Sequence, residues 1–195
     1  MTTSPSDTDT AAHPLQEYAD SVAEAVGGTA EIHFDTVKVV VDPSNWVSAF
    51  QTARDRLDLV FFSWLSAIDW SNEVAAGDPL GEEVEERFEV LATVGDLTEG
   101  NRVTFSTDIS KEKAEIDSLV EVYVGANWHE RETAEMFGIQ FAGHPDLSKM
   151  YLPDEFIGNP LRKSFPLLSR EVKPWPGTVD VEAMPEGPSV ENPEA

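Results

Sequence analysis

A helix with charge on every side cannot rest on a surface with one face to water, and the segment Trp128–Gly138, WHERETAEMFG, has the composition of such a helix. Asn127-Trp128-His129-Glu130 has capping-box spacing, with Asn in place of Ser or Thr, and Gly138 can end the helix in a left-handed turn. At about 100° per residue, with Trp128 set at 0°, Glu132 falls near 40° and Met136 near 80°. Glu130 falls near 200° beside Phe137 near 180°, while Arg131 and Glu135 lie near 300° and 340°. A free surface helix separates an apolar stripe from a polar face. This segment separates nothing, so some of its carboxylates enter low-dielectric surroundings and need partners there. Locally, Arg131 can pair Glu135 one turn on, and Glu130 can cap its own helix. Glu132 is left over, for Arg162, Lys163 or a basic group on another protein.

The rest of the chain sharpens the contrast. The formal charge is -24 over 195 residues, which excludes nucleic acid as a main partner and docking on anionic lipid through a basic patch. Residues 129–170 hold six acids and five bases, so nearly all of that charge lies elsewhere. Residues 171–195 carry six acids, one base and five of the 13 prolines. They read as a self-repelling disordered tail, as do residues 1–11 at the other end. A near-neutral segment in an acidic chain suits a surface that is to be covered, and equally a chance distribution whose charges pair internally. With no cysteine, disulfides, thiolate zinc sites and any iron–sulfur cluster held by this chain alone drop out. No apolar run reaches the roughly 20 residues of a spanning helix, and the polar N-terminus has no targeting character. A soluble, intracellular chain is expected.

Helical composition over 12–26 ends at Gly27-Gly28, and a β-branched run over 31–41 reads as one strand. Asp42-Pro43-Ser44 opens a helix to about residue 56, and the apolar run over 59–70 is a central strand. Two further strands flank Leu97–Gly100. Ser118-Leu-Val-Glu121 is a capping box for a short helix ending at Gly125, before the charged helix. The order predicts an α+β domain over 12–138, with a mixed or antiparallel sheet of about four strands packed with helices. An irregular docking extension over 139–173 follows it, then the acidic Pro-rich tail, 174–195.

Enzymatic readings fit poorly. A zinc-protease helix needs histidines at i and i+4, and Thr133 stands where the second should be. His129, Glu132 and distant His144 are the one remaining candidate metal set, which would make the chain a stand-alone enzyme. His13 and His33 read as structural or solvated. There is no Gly-rich phosphate loop and no nucleophile elbow. An unrelated acidic interaction module is the other alternative.

At these residues the chain resembles the thirty-kilodalton subunit family of the proton-pumping NADH–quinone oxidoreductase, respiratory complex I. The family signature is Glu-Arg-Glu, two residues, an acid, two hydrophobics, then six residues to a histidine or lysine. Here it reads Glu130-Arg131-Glu132, Glu135, Met136-Phe137 and His144. Ser148 departs from a basic or proline position, next to Lys149, and Ser164 departs from a common acid after Arg162-Lys163. FGIQFAGHPDL, with Pro145 and Asp146, and NPLRKSFPL, with Pro160 and Leu161, resemble the family's following segments. The resemblance spans about 127–167; over 31–125 only the order of elements agrees. It implies a protein with no cofactor and no catalytic residue of its own, in a complex that carries FMN and Fe–S clusters in other subunits. It implies a peripheral position on the cytoplasmic side of the membrane. The implied neighbours are the subunit that forms most of the quinone site and the Fe–S subunit next to it. Related membrane-bound energy-converting hydrogenases and dehydrogenases carry a similar subunit, which is the alternative assembly.

Overall fold

The computed structural model describes residues 13–75 and 81–166. The two expected acidic tails and the last residues of the extension lie outside the described residues. Helix α1 (Gln16–Val26) buries Ala19, Val22, Ala23 and Val26, an i, i+3, i+4, i+7 stripe, and closes on Gly27 at φ 73°. The β-branched run forms two strands, not one. Phe34, at φ 55°, reverses the chain between β1 (Thr29–His33) and β2 (Thr36–Val40), which pair antiparallel. Asp42 then accepts the Ser44 N–H at 2.9 Å and opens a short 3₁₀ turn that leads into α2 (Trp46–Arg56).

Strands β3 (Phe61–Trp70), β4 (Arg87–Gly95) and β5 (Arg102–Ile109) complete a five-stranded mixed sheet in the order β1-β2-β5-β4-β3. Within this sheet only β2 and β5 run parallel. The β4–β5 turn is organised by Asp96, whose carboxylate accepts four successive N–H groups from Thr98 to Asn101. The fold is α+β, with the fifth strand supplied by the unexpected hairpin.

The helices share one face of the sheet. Phe50 of α2 packs on Phe105 of β5 with ring centroids 4.8 Å apart. Phe88 of β4 lies on that same face by register and meets Phe137 of α3 (Ala126–Phe137) at 6.4 Å. On the opposite face Glu89 accepts from Lys38 Nζ at 2.7 Å and Trp70 Nε1 at 2.8 Å. Two short parallel strands, β6 (Glu115–Asp117) and β7 (Gln140–Ala142), bracket α3, with Ile116 and Phe141 paired and buried between them. They bind the start of the extension to the body.

The short helix expected from Ser118 to Gly125 is absent. That stretch is a series of turns: Ser118 Oγ still accepts the local Val120 N–H at 3.2 Å, but the Ser118 N–H, which the box would give to Glu121, donates to Ala142 O at 2.8 Å, and the Ser118 hydroxyl and Leu119 N–H donate to Glu130.

Candidate functional site

The charged helix sits among the partners that its composition demands, and they differ from the local ones. Because α3 starts at Ala126, Asn127 lies inside it and makes no side-chain cap. Glu130 is fully buried and caps nothing in its own helix. Its carboxyl accepts from Ser118 Oγ at 2.5 Å and Leu119 N–H at 2.6 Å, fastening the preceding turns to α3. His144, its side chain also fully buried, places Nε2 3.9 Å from Glu130 Oε2. The Asp146 N–H donates to His144 Nδ1 at 3.0 Å, so the ring proton is on Nε2, which donates to Asn127 O at 3.1 Å. Both ring nitrogens are thus committed to protein groups.

Burial pushes the Glu130 carboxyl up to about 7, against the pull of Ser118 and Leu119. Its ordinary value is 4.5, so across that window the folded chain holds a proton that the unfolded chain has released. Stability should therefore fall as pH rises from 4.5 to about 7, by up to about 3 kcal/mol from this group. In urea unfolding at about pH 5 and about pH 8, the variant Glu130→Gln should lack this decline relative to the wild type. An equal decline in both proteins would assign the titration to another group.

Glu135 works differently. Its carboxylate accepts the consecutive N–H groups of Met150, Tyr151 and Leu152, at 2.8, 3.1 and 2.6 Å. Burial pushes this carboxyl up, but the three backbone donors prevail and hold it below the usual carboxylate range. Lys149 completes the loop by donating from Nζ to the carbonyls of Pro153, Asp154 and Phe156, at 3.2, 3.1 and 3.0 Å. One acid gathers the N–H groups and one base gathers the carbonyls of the same turn. Arg131 does not pair Glu135. It donates to Ser148 O at 3.0 Å and Ser148 Oγ at 2.9 Å, and Asp146 accepts from the N–H and hydroxyl of Ser148.

A helix leaves its last carbonyls without intrahelical donors. Here the helix's own cap, Gly138, donates its N–H to Ala134 O, and the extension supplies the rest: Glu135 O accepts from Asn159 Nδ2, Met136 O from Leu161 N–H and Phe137 O from Arg162 Nε. Gly138 makes this approach possible twice over. Its φ is 74°, and a Cβ there would lie 2.6 Å from Arg162 Nη2 and 2.7 Å from Asn159 Oδ1.

Further on, buried Asp69 accepts from the Lys163 N–H at 2.9 Å, from Lys111 Nζ at 2.7 Å and from Ser71 Oγ at 2.7 Å. Lys111 and Arg162 both lie over the Phe88 ring, 5.3 Å from its centroid. The extension is therefore pinned at His144, Glu135, the α3 carbonyls and Asp69.

The structure thus gathers most of the residues singled out from sequence: Glu130, Arg131, Glu135, Phe137, His144, Asp146, Lys149, Arg162 and Lys163. Pro145 is exposed, Pro160 half-buried and Leu161 exposed through its side chain. Glu132 stands apart; among the described residues neither Arg162 nor Lys163 pairs with it. The metal set of His129, Glu132 and His144 does not converge: His129 lies against Phe62, 5.7 Å between ring centroids, and His144 faces Asn127. Asp69 and the roles of Ser118 and Asn159 lie outside the sequence reading: Asp69 shows only as an acid inside an otherwise apolar strand, Ser118 as the start of a capping box and Asn159 within NPLRKSFPL.

The fold is shared with two solved structures. The trypsin-resistant fragment of Nqo5 superposes with a TM-score of 0.55 at 23% identity, covering 67% of this chain and 97% of that one. A chain of an archaeal membrane-bound sulfane sulfur reductase gives 0.55 at 16%, covering 72% and 77%. Both show the fold alone. Residues 39–171 match the family described as "Respiratory-chain NADH dehydrogenase, 30 Kd subunit", and the chain belongs to that family. It is 35% identical over 156 residues to the corresponding NADH-quinone oxidoreductase subunit of Methylobacterium sp. (strain 4-46), covering 78% of this chain and 68% of that protein. The same subunit of Roseiflexus sp. (strain RS-1) is 34% identical over 81% and 85%, and that of Rhodobacter capsulatus 35% over 78% and 73%. The chain is a subunit of an NADH-quinone oxidoreductase, and other subunits of that complex are its partners. No helix among the described residues is long and apolar enough to cross a membrane.

Proposed function

We propose that this chain is a cofactor-free structural subunit of the peripheral arm, on the cytoplasmic side, and that its extension docks the neighbouring subunits. The chemistry, electrons passing from NADH through FMN and Fe–S clusters to quinone, belongs to the rest of the complex. The quinone-site subunit and the Fe–S subunit next to it are the neighbours in this reading. The observation that carries it is the polarity of the extension. Its backbone N–H groups and the Arg162 guanidinium are spent inward on α3 and Asp69, while Tyr151, Ile157 and Leu161 remain 60%, 91% and 54% exposed. A segment this well anchored with its apolar side chains outward is pre-ordered for a partner, which lowers the entropy lost on binding.

The double variant Ile157→Asp/Leu161→Asp tests this. Both side chains are exposed, so the stability of the isolated chain should change by no more than about 0.5 kcal/mol. The amount of assembled complex, and the quinone reduction that depends on it, should drop sharply. Pull-down should show the quinone-site and Fe–S subunits released first. Full assembly in the double variant would rule the extension out as the docking element.

A further inference from the structure

We propose that the first turn of α3, with the turn before it, forms a second docking surface that receives an arginine flanked by an apolar side chain on a neighbouring subunit. The partnership itself follows from family membership; the location and chemistry of this contact rest on the geometry of α3.

The outward stripe of α3 runs from Trp128 through Glu132 and Arg131 to Glu135. The extension covers its C-terminal part, through Ser148 on Arg131 and residues 150–152 on Glu135. It leaves the N-terminal part bare. Trp128 is 67% exposed and Val124, one turn earlier, 85% exposed. Between them runs a groove lined by Val124, Gly125, Trp128 and His129. Its floor is low because Gly125 has no side chain and Phe62 closes beneath it, 3.5 Å from where a Cβ would stand. Contiguous exposed apolar surface beside an interface segment is surface meant to be covered.

The charge around the groove selects the occupant. Glu132 is half-buried and, among the described residues, has no basic partner, while Arg131 on the same helix is held by Ser148. Glu121 is exposed on the preceding turn. Trp128 and Glu132 are four residues apart, on one helical face. A guanidinium can pair a carboxylate in a fork and stack on an indole face at once, which an ammonium does less well. The net charge of -24 disfavours a second copy of this chain, and it disfavours an anionic lipid surface. The segment 171–195, six acids and one base, is disfavoured for the same reason.

Photo-crosslinking in the assembled complex decides it, with Trp128→p-benzoylphenylalanine as the probe and Ile157→p-benzoylphenylalanine as the reference on the extension. The expected product at position 128 joins a peptide of another subunit that carries an arginine within a few residues of the attachment point. Adding Glu132→Gln should lower that yield about tenfold, equivalent to about 1.4 kcal/mol, and leave the yield at position 157 unchanged. A product at 157 with none at 128 would overturn this proposal and leave the extension reading standing. A product at 128 with residues 171–195, with a second copy or with a peptide lacking a base would overturn it too. No product at either position would overturn both readings.

Discussion

Glu135→Ala should release the extension from the body. The substitution removes a carboxylate that accepts three consecutive backbone N–H groups, and nothing else in the turn can accept them, because Lys149 has already drawn the carbonyls the other way. Hydrogen bonds to a charged group contribute about 1.5–3 kcal/mol each when buried, and water can replace part of that here, so a total near 3 kcal/mol is expected. That corresponds to about a 100-fold loss of amide-exchange protection at residues 150–152. Glu135→Gln keeps one acceptor oxygen and should lose about half as much. The pH dependence has a definite sign. The folded-state value lies below the ordinary 4.5, so this contribution is present above 4.5 and is lost as pH falls through the lower folded value. Wild-type protein should show an acid step in exchange over the extension that Glu135→Ala lacks. Unchanged protection in Glu135→Ala would show that the extension is held by other contacts.

Gly138→Ala should have an effect of similar size through the other anchor. An L-residue in the left-handed region loses about 1–2 kcal/mol. The new methyl would stand 2.6 Å from Arg162 Nη2 and 2.7 Å from Asn159 Oδ1, both too close, so both side chains must shift. Either movement breaks a bond to an α3 carbonyl, at about 1 kcal/mol or more. The sum is about 2–4 kcal/mol, and limited proteolysis should open first within 144–166. Gly100 supplies the control. Its φ is 77° and a Cβ there meets nothing within 4 Å, so Gly100→Ala carries the conformational part alone. Equal losses in the two variants would mean that the close approach of the extension contributes nothing.

Much of the fold was legible because its signals are local. The helical composition before Gly27-Gly28, the cap at Asp42, the strands around Leu97–Gly100 and the stop at Gly138 depend on residues a few positions apart, and the structure keeps them. The signals that misled were local as well. Ser118-x-x-Glu121 and Asn127-x-x-Glu130 have capping-box spacing, but Glu130 reaches back to Ser118 and Leu119, and neither box forms. A box offers one bond where a buried carboxyl needs several, so the tertiary partners win.

The sequence alone determined which groups would need partners: a helix carrying Glu130, Arg131, Glu132 and Glu135 among Trp128, Met136 and Phe137 had to be covered. Its spacing also carried the family signature. Only the tertiary structure decided who the partners are. Glu135 looked suited to Arg131 and took the backbone of 150–152 instead, while Arg162 and Lys163 looked suited to Glu132: the Arg162 guanidinium went to Phe137 O, and Lys163 gave its backbone N–H to Asp69 across 94 residues and set its ammonium over Trp70. Backbone N–H and C=O groups are the same at every position and leave no mark in a sequence. A carboxylate that chooses them can be found only when the path of the chain brings them within reach.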